Sequence, residues 1–178
     1  RLFMFQEGND ATAERAFRRA LECDPDGVDE RLHLAHIVGT EHGDWASARA
    51  LVRRAQQLAP DAPLVWAVSA DVSRWAGNVE DAAECWERVT ALVPHDAHYL
   101  ASRADFELAV RGHDSVAVSL LERACEEGLA DPDALRTYAR LLARLGEDER
   151  SQQVLAHAAK AAGKAGRGAG RRRLAWRG

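Results

Sequence analysis

The chain has 178 residues, of which 47% are hydrophobic, and its formal net charge is −4. This length and apolar content suit one ordinary domain with a buried core. The apolar runs are only a few residues long, far short of the ~20 residues needed to cross a bilayer, and the start of the chain lacks the basic and apolar stretches of a secretory signal. The three cysteines form no CxxC pair, so we predict reduced thiols in a cytoplasmic, reducing compartment.

Glycines recur along the chain at a nearly fixed interval. The successive gaps are 35, 34, 35 and 34 residues, for Gly8, Gly43, Gly77, Gly112 and Gly146. Such a period indicates one supersecondary unit that is copied and stacked. Stacked units form extended binding surfaces more readily than closed catalytic clefts. Because the chain begins at Arg1, inside a repeat, we expect it to be a piece of a longer protein.

Each glycine after Gly8 separates two predicted helices. In chain order, the helices are predicted at 10–23, 29–41, 45–58, 63–75, 79–92, 97–110, 114–127, 132–144 and 148–162. Small residues recur on one face of these helices, at Ala35, Ala70, Ala104 and Ala139 before the glycines and at Ala13, Ala48, Ala82, Ala117 and Ser151 after them. Small side chains let neighbouring helices approach closely, and large apolar residues four positions on fill the remaining space. The Gly-Asn and Gly-Asp pairs suit a helix C-cap followed by the next N-cap.

These columns resemble the tetratricopeptide repeat (TPR). The third repeat is the clearest match, with Trp66, Ala70, Gly77, Ala82, Trp86 and Pro94 at the positions that define the family. The resemblance implies an all-α fold, a right-handed α-α superhelix or solenoid of stacked helix-turn-helix repeats. It divides the chain into the second half of a truncated repeat (1–26), four repeats (27–62, 63–96, 97–131 and 132–162) and a basic, glycine-rich flexible tail (163–178).

The fourth repeat departs from the family pattern. Arg103 and Glu107 occupy positions that are usually apolar, and they are four residues apart. We expect them to pair along the helix, with a gain of only ~0.2–0.5 kcal/mol. Their helix is predicted either to pack more loosely than the others or to have a wet face.

The resemblance implies that the first helix of each repeat lines a concave groove that holds a peptide or another partner segment. The residues predicted to contact a partner are His33, His36, Asp71, Arg74, Trp75, His98, Asp105, Arg136 and Arg140, and the same face is expected to carry Gly39, Ala67 and Ala101. Co-chaperone members of the family hold a C-terminal carboxylate with Lys and Asn at these positions. This chain lacks that set, so binding of a chaperone tail is not predicted.

Two features of this predicted groove have alternative interpretations. Arg136, Arg140 and Arg144 recur every four residues and form a basic stripe, which either grips acidic residues of a partner or is a solvated outer face. Trp75 is either an interface anchor or ordinary packing against the next helix pair. The other two tryptophans of the third repeat, Trp66 and Trp86, are assigned to the core.

The sequence contains no constellation that favours catalysis. The patterns G-x-S-x-G, H-E-x-x-H and G-x-x-x-x-G-K-[ST] are missing, so we predict neither an enzyme nor a cofactor. His33 and His36 could share a metal only if another helix supplied a third ligand, and surface histidines are the favoured interpretation. Recognition of RNA bases is disfavoured because the corresponding positions, Leu32, Ala67, Ala101 and Arg136, are mostly apolar.

From Lys160 onward every charged residue is basic. The tail is predicted either to contact nucleic acid or an acidic surface, or to be a solvated linker. The truncated first repeat makes self-association possible. The predicted function is a protein–protein interaction scaffold, and the alternative is a regulatory segment of a larger enzyme or transcription regulator whose active part lies outside this chain.

Overall fold

The computed structural model describes the backbone of residues 10–174 and the side chains of residues 11–163. This part of the chain consists of helices and turns and contains no β-strand. The helices are α1 (Asp10–Cys23), α2 (Val28–His42), α3 (Trp45–Leu58), α4 (Pro63–Trp75), α5 (Val79–Leu92), α6 (Ala97–Phe106), α7 (Asp114–Glu126), α8 (Pro132–Arg144) and α9 (Asp148–Leu174). The predicted helices are confirmed to within one or two residues, except at the ends of α6 and α9.

The chain divides into two compact units, Arg1–Val93 and Pro94–Gly178. In the first unit each helix from α1 to α5 packs on the next one, and α2 also contacts α4. In the second unit α6 packs on α7, α7 on α8 and α8 on α9. Each unit therefore consists of antiparallel helical hairpins, and it has its own apolar core.

The predicted small-residue columns lie on the buried faces of the helices. The column before the glycines, Ala35, Ala70, Ala104 and Ala139, is at most 1% exposed, and in the second column Ala48, Ala82 and Ala117 are fully buried. The large apolar column is buried at Val52, Trp86 and Leu121. Phe17 in this column is only half-buried. Leu155 is 46% exposed, because no helix beyond α9 covers it in the described part of the chain.

The periodic glycines end helices in the left-handed region. Gly43, Gly77, Gly112 and Gly146 have φ values of 65°, 81°, 67° and 80°, which confirms the predicted C-caps; Gly8 lies outside the described residues. The N-cap prediction is right for Asp44, whose carboxylate accepts a hydrogen bond from the Ser47 backbone N–H at 3.0 Å. Asn78 also occupies the N-cap position, as predicted, but its side chain makes no capping hydrogen bond. The backbone turn alone ends one helix and begins the next there.

The ninth helix is longer than predicted. It continues past Ala162 to Leu174, because no proline interrupts the segment and its alanine, lysine and arginine residues favour helix despite the glycines. Residues 175–178 lie outside the described part. The assignment of 163–178 as a flexible tail remains a prediction. No helix in the described residues is both long and apolar enough to cross a membrane.

The sixth helix ends in one π-helical turn, Glu107–Arg111. The spacing of the repeat does not account for this turn, because Ala104 and Gly112 are as far apart as Ala35 and Gly43 in α2, which is α-helical throughout. This turn carries Glu107, which is 2% exposed although it is ionisable.

The Glu107 carboxylate is surrounded by three basic side chains. One oxygen is 3.5 Å from Nη1 of Arg111 and 3.9 Å from Nε of Arg103, and the other is 3.1 Å from Nδ1 of His113. The predicted pairing with Arg103 is confirmed. The expectation of a wet face is wrong for Glu107 itself, because the basic groups and the π-turn enclose it. The loss of one partner should cost more here than in an exposed i,i+4 pair, because it leaves a buried charge uncompensated.

A substitution of Glu107 tests this cluster. We expect Glu107→Ala to lower the free energy of unfolding by about 3 kcal/mol, because it removes the carboxylate that both guanidinium groups face. The measurement is urea unfolding followed by circular dichroism. Glu122→Ala is the matched control, because it breaks an exposed pair with Arg150 and should cost less than ~1 kcal/mol. Equal effects of the two variants would contradict the structural importance of the cluster.

A second substitution tests the packing of Gly39. A methyl group there would lie 2.3 Å from Cζ3 of Trp45, so we expect Gly39→Ala to destabilise the chain by about 1–3 kcal/mol. In the background Trp45→Leu, which removes the ring, the same change should cost far less. A double-mutant cycle from urea unfolding gives the coupling. Purely additive effects would show that the contact does not limit this site.

Candidate partner-binding site

Side chains of α2, α3 and α4 form an aromatic patch in the first unit. The indole of Trp75, at the end of α4, is 36% exposed. Its ring centroid lies 5.4 Å from that of His36 and 6.1 Å from that of Trp45. We call His36, Trp45 and Trp75 the aromatic patch. Tilted rings at these separations attract each other beyond the burial of their area.

The aromatic patch depends on Gly39. This glycine is buried within α2, and its missing side chain gives room for Trp45, at the start of α3. Trp45 in turn lies beside Trp75. Sequence reasoning missed Trp45. The available signal was a glycine in the middle of a helix, where it is costly, followed six residues later by a large aromatic residue.

Two charged residues of α4 border the patch. The Arg74 guanidinium lies over the Trp75 ring, with Cζ 5.1 Å from the ring centroid, in a cation–π arrangement. The same guanidinium is 3.5 Å from the Asp71 carboxylate. The structure thus brings together four of the predicted site residues, namely His36, Asp71, Arg74 and Trp75.

The carboxyl group of Asp71 is unusually basic. Desolvation raises its pKa above the ordinary value, and the positive charges of Arg74 and His36 only partly offset this effect. About a quarter of the side chain, 24%, remains exposed. A largely desolvated acid at the edge of an exposed indole is a place where a donor from a bound segment can hydrogen-bond strongly.

His33 lies one turn before His36 on α2. Its ring stacks on Phe17 of α1, with a centroid distance of 4.9 Å and an interplanar angle of 16°. His33 is therefore tied to the α1–α2 contact. Within the described residues, no group of three or more His, Cys, Asp or Glu side chains is arranged to hold a metal ion.

The remaining predicted residues lie in the second unit. His98 is exposed and contacts Tyr99 in the first turn of α6. Asp105 is exposed near the end of α6, and both desolvation and the negative charge of Asp131 raise its pKa. Arg136 and Arg140 are exposed on α8. No contact joins these side chains into one cluster among the described residues of this unit.

The basic stripe on α8 is partly neutralised. Arg136 pairs with Asp133 one turn earlier, and Arg144 pairs with Asp114 of α7 at 2.8 Å. Arg140 contacts the Thr137 hydroxyl at 3.1 Å, and no carboxylate pairs with it in the described part of the chain. Arg140 is thus the member of the stripe best placed to receive an acidic group.

Several predictions about which side chains face outward are wrong. Gly39, Ala67 and Ala101 were expected on the exposed face but are buried, because these small residues lie where helices touch. Trp66 was assigned to the core but is only half-buried, and its indole N–H donates a hydrogen bond to the Pro60 carbonyl at 2.7 Å. Trp86 is 3% exposed, which confirms its assignment to the core.

Comparison with known proteins supports the repeat assignment. Residues 40–106 match the family model described as tetratricopeptide repeat, which confirms the resemblance found in the sequence. No curated protein matches the sequence. The matched family is not a catalytic one.

Solved structures resemble the chain more extensively. A crystal structure of MamA has a TM-score of 0.70 at 16% identity and covers 90% of this chain and 93% of that chain. MamA from Desulfovibrio magneticus RS-1 has a TM-score of 0.68 at 11% identity and covers 88% of each chain. YrrB, described as a TPR protein with an unusual peptide-binding site, has a TM-score of 0.64 at 17% identity and covers 83% of this chain and 75% of that chain. This likeness confirms the fold class, an all-α solenoid of helix-turn-helix repeats.

The raised pKa of Asp71 predicts a pH dependence. Because the folded-state pKa exceeds the unfolded-state value, the contribution of Asp71 to stability is fully present below the unfolded pKa and is lost as the pH rises through the folded pKa. Compared with the wild type, Asp71→Asn should therefore gain stability between pH ~4 and neutral pH. Urea unfolding across this range measures the difference.

Asp44→Ala should show the opposite pH dependence of stability. Hydrogen bonds from Ser47 lower the pKa of Asp44, so its contribution is present at neutral pH and is lost on acidification. The stability deficit of Asp44→Ala should shrink as the pH falls. A difference between Asp71→Asn and wild type that stays constant with pH would contradict the assignment at Asp71.

Proposed function

We propose, on the premise of a tetratricopeptide-repeat fold, that this chain is a protein–protein interaction scaffold that binds a segment of a partner protein. The single observation that carries the proposal is the aromatic patch, with the 36% exposed indole of Trp75 at its edge. Exposed Trp beside Arg and a desolvated acid is the composition found at energetic hot spots of interfaces. YrrB is described as having a peptide-binding site on the same fold.

The chemistry of the patch indicates the kind of segment that it would hold. An apolar or aromatic side chain of the partner would pack on the exposed part of the Trp75 indole, whose position His36 and Trp45 already hold. A backbone N–H or a basic side chain next to it would donate to Asp71, whose carboxylate is only weakly compensated by Arg74 at 3.5 Å. His33 and His36 would extend this contact along α2.

In the second unit we propose a separate contribution from His98, Asp105, Arg136 and Arg140. Arg140 supports it most directly, because its guanidinium is exposed and no carboxylate pairs with it among the described residues. A guanidinium fork suits a carboxylate on the partner. Binding of nucleic acid or of an acidic surface by the basic tail, and self-association, stay predictions.

We also propose a cytoplasmic, reducing location. The three cysteines are free, with Cys23 exposed, Cys125 half-buried and Cys85 buried. Burial raises the pKa of the Cys85 thiol to about 11, so this group stays protonated and unreactive at neutral pH. Three unpaired thiols of this kind are typical of proteins that fold in reducing surroundings.

Selection of binding peptides tests the proposed scaffold function. Short random peptides displayed on phage are selected on the wild-type chain, and the affinity of the enriched peptides is measured by fluorescence anisotropy. We expect Trp75→Ala to weaken binding about 30-fold, as the loss of a hot-spot residue does. Asp71→Asn should weaken it less, and a joint Arg136→Ala, Arg140→Ala variant should affect acidic peptides most.

The matched control is Val116→Ala. Val116 is an exposed apolar residue of α7 in the second unit, and it belongs neither to the aromatic patch nor to the contact residues proposed in that unit. This variant should bind the selected peptides as tightly as the wild type does, and circular dichroism verifies that each variant is folded. Peptides that bind Trp75→Ala with unchanged affinity would contradict the proposed site.

A further inference from the structure

A cavity of about 370 Å³ lies among α3, α4 and α5 of the first unit. Its walls include Arg53 of α3, Trp66, Ser69 and Ser73 of α4, and Cys85 and Arg88 of α5. We call it the cationic cavity. Its volume falls in the lower part of the range for ligand sites, which is ~300–1,000 Å³. It therefore suits one side chain or a small group rather than a large ligand.

The cavity exists because two serines replace large residues in α4. Ser69 and Ser73 stand one position before and three positions after Ala70. The same two places relative to the alanine column hold Leu34 and Val38 in the second repeat, and Tyr138 and Leu142 in the fifth. All four of these side chains are buried, so they fill the space that the serines leave open.

The cavity is lined by more positive than negative groups. The positive side chains are Arg49, Arg53 and Arg88, and the negative ones are Asp81 and Glu84. Arg49 pairs with Asp81 at 3.1 Å. This pair leaves Arg53, Arg88 and Glu84 to determine what the cavity attracts, with one positive charge in excess.

The two remaining guanidinium groups are held in different ways. Arg88 lies over the Trp66 ring, with Cζ 5.9 Å from the centroid, and it makes only a long contact of 3.5 Å to the exposed Asp61. Arg53 is exposed and pairs with no other residue within the described part. A ring-supported guanidinium and an unpaired one at the same opening form a receptor for an oxyanion.

We propose that the cationic cavity binds the carboxylate side chain of an acidic peptide segment, with Arg53 and Arg88 as its ligands and Trp66 as the apolar wall. The site is distinct from the aromatic patch. Residues 66, 69 and 73 share one face of α4, whereas residues 71 and 75 lie about half a turn away. The chain would thus carry two separate peptide sites on opposite faces of one helix, and this inference does not rest on the function of the aromatic patch.

A titration followed by NMR tests the proposal. The probe is a short glycine peptide that contains two Glu residues, and the matched probe carries Gln in their place. The readout is the indole N–H of Trp66, which donates to the Pro60 carbonyl at 2.7 Å and is assigned with Trp66→Phe. We expect the Glu peptide to shift this resonance and the Gln peptide to leave it in place. The Trp75 indole should not move with either peptide.

Two charge variants give the matched comparison. Arg53→Gln should weaken binding of the Glu peptide about two- to fivefold, the range for an exposed charge pair. Arg54→Gln is the control, because Arg54 is the next residue on α3, lies outside the cavity lining and pairs with Asp26 at 3.0 Å. The Arg54→Gln variant should bind the Glu peptide with the affinity of the wild type. Equal losses of affinity in the two variants would show that only the net charge of the chain matters, and they would overturn the proposal.

A packing variant and a chemical readout complete the test. Ser69→Leu restores the residue type of the second repeat, so it should fill the cavity and abolish the Trp66 shift while the chain stays folded. The Glu peptide should also slow alkylation of Cys85 by a small neutral reagent at mildly alkaline pH, with the exposed Cys23 as the internal reference. Unchanged peptide binding by Ser69→Leu would overturn the proposal.

Inorganic phosphate distinguishes the source of the anion. If phosphate shifts the Trp66 resonance at lower concentration than the Glu peptide does, the cavity is a site for free phosphate and the assignment to a peptide is overturned. If phosphate only competes weakly, through general screening, the assignment stands. An identical response to the Glu and Gln peptides would likewise overturn it, because the guanidinium groups would then contribute no selectivity.

Discussion

Close contact between helices at the alanine columns is the constraint on which the rest of this structure depends. From Ala35 to Ala139 the alanines at these positions are essentially inaccessible to water, so any larger side chain there would push two helices apart. With the helix spacing fixed in this way, the size of every neighbouring residue decides whether space is filled or left open. The aromatic patch and the cationic cavity both result from residues that are smaller than this spacing requires.

The two sites illustrate different uses of missing volume. At Gly39 the absent side chain admits the ring of Trp45, and that ring lies beside Trp75. At Ser69 and Ser73 the absent volume is left open, and charged residues surround it. The space beside Gly39 is filled by Trp45 of the same chain, whereas the space beside Ser69 and Ser73 is open to a ligand. In a stack of near-identical units, such local exceptions are where individual function can arise.

Much of the fold could be predicted from the sequence because helical repeats are local. The glycine period fixed the turns, and the alanine columns fixed which face of each helix is buried. The site was harder to predict because it depends on contacts between helices. The sequence predicts the exposed face of α4 at Asp71, Arg74 and Trp75. Trp45 comes from another helix, and the one sequence signal for it is the mid-helix Gly39 six residues earlier. Ala67 was misplaced because a small apolar residue gives no indication of whether it faces a neighbour or solvent.

The polar core of the second unit was also only partly predictable. Spacing indicated that Arg103 and Glu107 would meet, since residues four apart on a helix are neighbours. Arg111 is also four residues from Glu107, but its pairing was not among the predictions. His113 lies six residues after Glu107, which is not a helical neighbour spacing, and it pairs with Glu107 from just beyond the π-turn. The length of the segment gave no sign of this turn, because Ala35 and Gly43 are equally far apart in α2, which has none.

The contact between Gly39 and Trp45 has a consequence for how this protein can change over time. Neither residue can be replaced freely while the other persists: a side chain at 39 would strike the indole, and a smaller residue at 45 would leave a hole beside 39. Accepted changes should therefore arrive together in descendant lineages. The two positions should covary, and that joint pattern would identify the descendants that have kept this surface, even where the rest of the sequence has diverged.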